Sequence, residues 1–251
     1  MLPYLSENCP FPEVGVALSE PNGLLAAGGD LSSERLIQAY SHGIFPWYSP
    51  GEPILWWSPD PRTVFFIEQF KVHKSVPKTL RNQSLRISLN ESFEKVLTEC
   101  ARPRGKENGT WITQEMIAAY TKLHHEGHAH SLEVWQEEQL VGGIYGVASG
   151  RVFCGESMFS RISNASKIAL SCLARLLMQH RFQLIDCQME NPHLMKLGAS
   201  NISRQQYLEI LGQQNLASKL ANVESAGYDE QNIWNARTLD WKILLGIKAN
   251  V

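Results

Sequence analysis

Residues 133–188 read EVWQEEQLVGGIYGVASGRVFCGESMFSRISNASKIALSCLARLLMQHRFQLIDCQ, and their pattern decides the architecture. Val134-Trp135 leads into a turn at Glu137-Glu138. Leu140–Ala148 is an apolar, Gly-rich run closed by a second turn at Ser149-Gly150, and Val152–Cys154 opens a strand that runs into Gly155–Arg161. Asn164 or Ser166 stands at the cap position of a helix with the apolar face Ile168, Ala169, Leu170, Cys172, Leu173, Leu176 and Leu177. Phe182–Gln188 reads as a buried strand with Asp186 and Gln188 near its end, two residues apart and so on one side. A carboxylate among apolar neighbours is costly unless it is paired or used, which makes Asp186 a candidate site residue on physical grounds alone.

Strands and helices also alternate on either side of this stretch. Val64–Ile67 and Arg86–Leu89 read as strands; Lys74–Arg81, with Pro77 in its first turn, and Ser92–Cys100 read as helices. Thr113 caps a helix reaching Leu123 or His124, and Ser203 caps one over Gln205–Leu211. The tail after Ser218 is polar, with Trp234 and Leu239–Leu245 expected to pack back. The N-terminal segment differs: eight of the twelve prolines precede residue 60, leaving room for one short helix, from Ser32 or Ser33 to Tyr40. Its aromatic segments Ile44–Pro50 and Ile54–Pro59 suit turns and short strands packed by rings. The expected fold is therefore α+β: a small lobe of residues 1–62, then a mixed-sheet domain of residues 63–251.

Bulk properties exclude several classes. The net charge of −2 gives no global basic field. Five cysteines without a CxxC pair argue against a disulfide framework or a zinc ribbon. His124, His125, His128 and His130 lack a carboxylate–water pattern and read as surface or strand-entry groups, so no metal site is expected. No secretory signal and no apolar run near 18 residues appear, so the expectation is a soluble cytoplasmic protein. Lys71, Lys74, Lys78, Arg81 and Arg86 fall in a window without acidic residues between Glu68 and Glu91. They form either a solvated face or a phosphate contact.

The sheet, helix and strand order resembles the acetyltransferase-type (GNAT) fold. That fold implies a coenzyme A loop rich in glycine ahead of the helix, but Ser160–Lys167 holds none. A coenzyme A-dependent N-acetyltransferase is thus the alternative function and not the preferred one.

A closer resemblance is carried by PNGLLAAGGDLS (Pro21–Ser32), GIFPWYSPGEPILWWSPDPR (Gly43–Arg62), GTWIT (Gly109–Thr113), LHHEGHAHSLEVW (Leu123–Trp135), LVGGIYGVASG (Leu140–Gly150), FCGESMFSR (Phe153–Arg161) and LIDCQ (Leu184–Gln188). Together they resemble the bacterial leucyl/phenylalanyl-tRNA–protein transferase family, over about residues 11 to 215. The resemblance implies transfer of Leu or Phe, with Met as a further donor, from aminoacyl-tRNA to proteins beginning with Arg or Lys. The product is an N-degron. It also implies a GNAT-like catalytic domain and a reaction without metal or coenzyme; a monomer without a membrane partner is expected. It places Asp186 and Gln188 at the reaction centre, with Asp186 either a base or a positioning group. An unshifted Asp, at about 3.9, is a poor base near neutrality. Glu156 is placed at the bottom of an amino-acid pocket lined by Ile144, Phe153, Met158, Leu170, Leu173, Leu177 and Ile185. As bare residues that apolar set reads as core, and Glu156 as a rim ion pair with Arg161 or Lys167. Trp47 and Trp111 are placed on either side of the 3′-adenosine, while Trp56 and Trp57 read as core.

Overall fold

The computed structural model describes residues 2–6, 9–103, 111–212, 233–234 and 240–246. Their strands form two sheets. Four short strands, β1 (Tyr4–Leu5), β2 (Leu24–Gly28), β3 (Phe45–Pro46) and β4 (Leu55–Trp57), pair in the order β1-β2-β4-β3. Such short strands offer few ladder bonds, and aromatic side chains supply the remainder. The Trp56 indole N–H donates to the Gly28 carbonyl and that of Trp57 to the Trp47 carbonyl. Phe11 packs edge-on to Trp56, their centroids 4.8 Å apart. Between β2 and β3 lies α1 (Ser33–Ser41), capped by the Ser32 hydroxyl, which accepts from the Arg35 N–H.

The larger sheet has the order β11-β5-β10-β9-β8-β7-β6. Its strands are β5 (Arg62–Phe66), β6 (Leu85–Leu89), β7 (Ala129–Gln136), β8 (Gln139–Ser149), β9 (Val152–Ser160), β10 (Leu184–Asp186) and β11 (Ser200–Ile202). β6 to β9 form an antiparallel meander. Its two-residue turns contain Glu137 and Gly150, both with positive φ, as tight hairpins require. β9 and β10 run parallel, which demands a crossover, and α5 (Ala165–Gln179) provides it. β5 is antiparallel to both β10 and β11.

Helices cover both faces. α2 (Ser75–Asn82), α5 and α8 (Trp241–Leu244) lie on one, with Ile233 and Trp234. α1, α3 (Phe93–Ala101), α4 (Gln114–His125) and α7 (204–212) lie on the other, and the short α6 (Pro192–Lys196) leads into β11. α5 is the central anchor, burying Ile168, Leu170, Leu173, Leu176 and Leu177, each worth about 1.5–3 kcal/mol when fully removed from water. Gly142 on β8 lets its first turn sit against the sheet, because a Cβ there would stand 2.5 Å from Ala165 Cβ.

Three local expectations are corrected. The strand expected over Phe182–Gln188 ends at Asp186, and Gln188 adopts φ 66°, so the two side chains are not aligned by a strand repeat. Asn164 precedes α5 at φ 70° without capping it. Its side chain instead accepts from Ser75 Oγ at 2.9 Å and donates to Thr79 Oγ1 at 3.1 Å, tying α2 to α5. His130 is buried on β7, its ring stacked 3.8 Å from that of Trp234. Trp234, Trp241 and Leu245 do pack back against the core; Leu239 and residues Gly109 and Thr110 of GTWIT lie outside the described residues.

Candidate active site

Asp186 closes β10 in the middle of the sheet, fully buried. On the antiparallel neighbour β5 its register partner is Val64, which brings Arg62, two residues earlier, to the same side. The Arg62 guanidinium grips the carboxylate with both prongs: Nε donates to Oδ1 at 2.9 Å and Nη2 to Oδ2 at 2.7 Å. Nη1 donates to the Gly43 carbonyl, and the guanidinium lies over the Phe45 and Tyr207 rings at 4.9 and 4.5 Å. Burial is the largest single influence and works against this cation, but the charge and hydrogen bonds of Asp186, with Tyr207 and Cys154, together outweigh it and raise the Arg62 pKa. Two more donors reach Asp186: the Tyr207 hydroxyl to Oδ2 at 3.0 Å and the Gln188 backbone N–H to Oδ1 at 2.8 Å. Four donors occupy the four lone-pair positions of a carboxylate. The last of them holds Gln188 in its left-handed conformation.

Glu156 lies next to this group on β9, within the register shift between Gly155, which faces Gly146, and Ser157, which faces Tyr145. Its Oε1 accepts from the Tyr40 hydroxyl and from Gln188 Nε2, both at 2.8 Å, and its Oε2 accepts from the Tyr120 hydroxyl at 3.2 Å. The two phenols also touch each other. Burial pushes Glu156 up to about 7, while the tyrosine hydroxyls oppose the rise. The rim ion pair is thus replaced by a buried carboxylate, and Arg161 pairs with Glu99 instead.

The apolar set assembles on the opposite face. Ile144 faces Met158 across β8 and β9, and Phe153 faces Ile185 across β9 and β10. Leu170, Leu173 and Leu177, at helical spacing, close over them from α5. Met158 alone of the seven is half-buried. Trp234, from the C-terminal segment, backs Phe153 with ring centroids 5.9 Å apart.

Trp47 is 38% exposed, whereas Trp56 and Trp57 are core. Trp111 is half-buried ahead of α4. A contact of 3.4 Å between the Tyr48 hydroxyl and Thr113 Oγ1 links the segments that carry Trp47 and Trp111. Lys71, Lys74, Lys78 and Arg81 are exposed, Lys74 at the N-cap of α2 forming one stripe with Lys78 and Arg81 on the helix. Arg86 stands apart on β6, bound by both Nη atoms to Glu91 and lying over the Trp135 ring.

A family described as leucyl/phenylalanyl-tRNA protein transferase matches residues 64–212, and its N-terminal domain matches residues 29–60. The chain belongs to this family. The leucyl/phenylalanyl-tRNA–protein transferase of Cellvibrio japonicus is 55% identical over 212 residues, 84% of this chain and 90% of that one. Its counterpart in Nitrosomonas europaea is 56% identical over 215 residues, 86% and 91% of the two chains. Among solved structures, L-PGS from Bacillus licheniformis aligns with a TM-score of 0.37 at 11% identity, covering 66% of this chain and 53% of that one. That likeness is too loose to argue from. In this transferase the sequence reading missed Arg62, Tyr40, Tyr120 and Tyr207. Arg62 had one signal, a cation heading the apolar run Thr63–Ile67. The tyrosines had none, since each sits on a helix face that reads as core.

Proposed function

We propose that this aminoacyltransferase moves leucine or phenylalanine from the 3′ end of aminoacyl-tRNA to the α-amino group of proteins beginning with arginine or lysine. The product is an N-terminally extended protein, an N-degron. The acceptor amine attacks the ester carbonyl carbon, the C–N bond forms, and the C–O bond to the tRNA ribose breaks with a proton passing to the leaving oxygen. The ester is already activated, so the enzyme mainly holds the two reactants together. A free α-amino group, with a pKa of about 7.7–8.0, is partly neutral at pH 7 and needs little base assistance.

The observation that carries this reading is one junction in the fold. Where β10 ends beside β9, the polar group of Gln188 and Glu156 stands on one side of the strand pair and the apolar set of Ile144, Phe153, Met158, Leu170, Leu173, Leu177 and Ile185 on the other. The apolar set takes the donor side chain, entering past Met158. Gln188 touches the acceptor amine: its Nε2 is held by Glu156, and among the described residues its Oε1 has no hydrogen-bond partner, leaving it to accept an amine N–H. Asp186 acts as a positioning residue, since all four of its acceptor sites are occupied. Trp47 and Trp111 stack on the terminal adenosine, and the α2 stripe with Lys71 contacts tRNA phosphates. The parallel β9–β10 pair crossed by α5 is read as GNAT-like. The protein is read as a cytoplasmic monomer. Among the described residues, no helix is long and apolar enough to cross a membrane.

Transfer of labelled leucine from tRNA to peptides beginning with Arg, Lys or Ala tests the reading. Labelling of the Arg and Lys peptides but not the Ala peptide is expected. Equal labelling of all three removes the acceptor assignment, and acetyl-coenzyme A turnover would favour the acetyltransferase.

A further inference from the structure

The small N-terminal lobe reaches into the reaction centre through one side chain. α1 presents Tyr40, 2% exposed, whose hydroxyl donates to Glu156 of the larger sheet. We propose that Tyr40, together with Tyr120 of α4, is a positioning residue for transfer: the two phenols hold Glu156 as a hydrogen-bond acceptor, and Glu156 in turn fixes the direction of the Gln188 side-chain amide. The inference rests on the transferase reading above.

The argument is one of donors and acceptors. A phenol has one proton. Because the Tyr40 and Tyr120 oxygens touch, Tyr120 can donate to Tyr40 or to Glu156 Oε2, while Tyr40 donates to Oε1. In either arrangement the protons run towards Glu156 and none runs away from it. Gln188 Nε2 adds a further donor on Oε1. A group that only accepts must be the carboxylate form. If Glu156 gains a proton it needs an acceptor: a phenol oxygen serves only when its own proton turns away from Glu156, and Gln188 serves by turning its amide over. That turn presents an N–H2 where an incoming amine needs an acceptor, and the approach is lost.

The surroundings of Glu156 set where this happens. Facing it are Tyr40 from α1, Tyr120 from α4, Gln188 after β10, Asp186 at the end of β10 with Arg62 from β5 and Tyr207 from α7, and Cys154 on its own strand. Burial raises the Glu156 pKa most, to about 7; the phenols and Arg62 pull it down and Asp186 pushes it up. Removing the Tyr40 hydroxyl removes a stabiliser of the charged form and moves the transition to higher pH.

The test is the pH profile of kcat/KM for leucyl-tRNA and an Arg-initiated peptide, taken for the wild type and for Tyr40→Phe. Ionisation of the peptide amine affects both proteins equally, so it cancels in their ratio. A hydrogen bond to a charged group is worth about tenfold or more. The Tyr40→Phe to wild-type ratio is therefore expected to fall about tenfold between pH 9 and pH 6. Glu156→Gln cannot ionise, so its ratio to wild type should rise as pH falls below 7. A Tyr40→Phe ratio constant with pH, at any level, overturns the proposal and leaves Tyr40 a packing residue. So does a flat Glu156→Gln ratio. Lack of transfer by the wild type would instead sink the transferase reading itself. If Tyr40→Phe fails to fold, shown by loss of a cooperative melt, Tyr120→Phe with the Glu156→Gln profile decides.

Discussion

The two faces of the larger sheet are both buried, yet they are built on opposite principles. The α5 face is filled by aliphatic and aromatic side chains from β8, β9, β10 and the C-terminal segment. The face towards α1, α4 and α7 also packs apolar groups, but it buries Arg62, Asp186 and Glu156 as well. Apolar packing is non-directional, so on the α5 face the cost of a change follows the volume lost. A buried charge is tolerated only with its partners in place, so on the other face the cost follows the number of donors or acceptors stranded. A site that must discriminate a side chain and orient an amine draws on both.

The largest effect expected separates the faces directly. Asp186→Ala leaves the Arg62 guanidinium buried without its carboxylate and should cost about 3–5 kcal/mol in urea unfolding. Transfer should be lost with it, because Gln188 loses its backbone anchor. Asp186→Ala protein with wild-type stability and turnover would end the distinction between the faces. Removing both charges is the sharper experiment. A double substitution of Asp186 and Arg62 by apolar residues should recover much of the stability but none of the activity.

On the α5 face, Leu173→Ala should cost about 2–5 kcal/mol through the cavity it opens. It should also shift the donor ratio from leucine towards phenylalanine, read in a competition between the two charged tRNAs. Lost stability with an unchanged donor ratio would return Leu173 to the core. Next comes Trp111→Ala, expected to weaken a 3′-aminoacyl-adenosine analogue by about 1–3 kcal/mol, with Trp47→Ala similar. Unchanged binding in both would detach the two tryptophans from the RNA end.

The smallest effect belongs to the exposed stripe. Charge reversal of Lys74 and Lys78 should weaken full-length aminoacyl-tRNA, spare the minimal analogue, and flatten the salt dependence of binding. Arg86, already neutralised by Glu91, should contribute less than either lysine. Equal loss for tRNA and analogue would place these lysines in the fold instead of on the RNA path.

The family resemblance supplied the seven apolar positions that assemble as one cluster; the meander, the crossover helix and the aromatic segments before residue 60 were legible in the chain alone. Each of these three follows from a local repeat or from a turn residue, and such signals survive in one dimension. The chain alone also marked Asp186, because a carboxylate in an apolar strand is conspicuous wherever the strand sits. What holds Asp186 is set by the folded chain. Its guanidinium partner lies 124 positions away on an antiparallel strand, and no repeat connects the two. The same holds for Glu156, whose tyrosines come from two helices and read in sequence as ordinary core. Gln188 shows the difference most plainly. A period of two placed it beside Asp186 on a strand, but the strand stops and the backbone turns left-handed, held by a hydrogen bond to Asp186. Periodicity reports which face a residue shares; hydrogen-bond partners are set by the meeting of distant segments, and that meeting exists only in the folded chain.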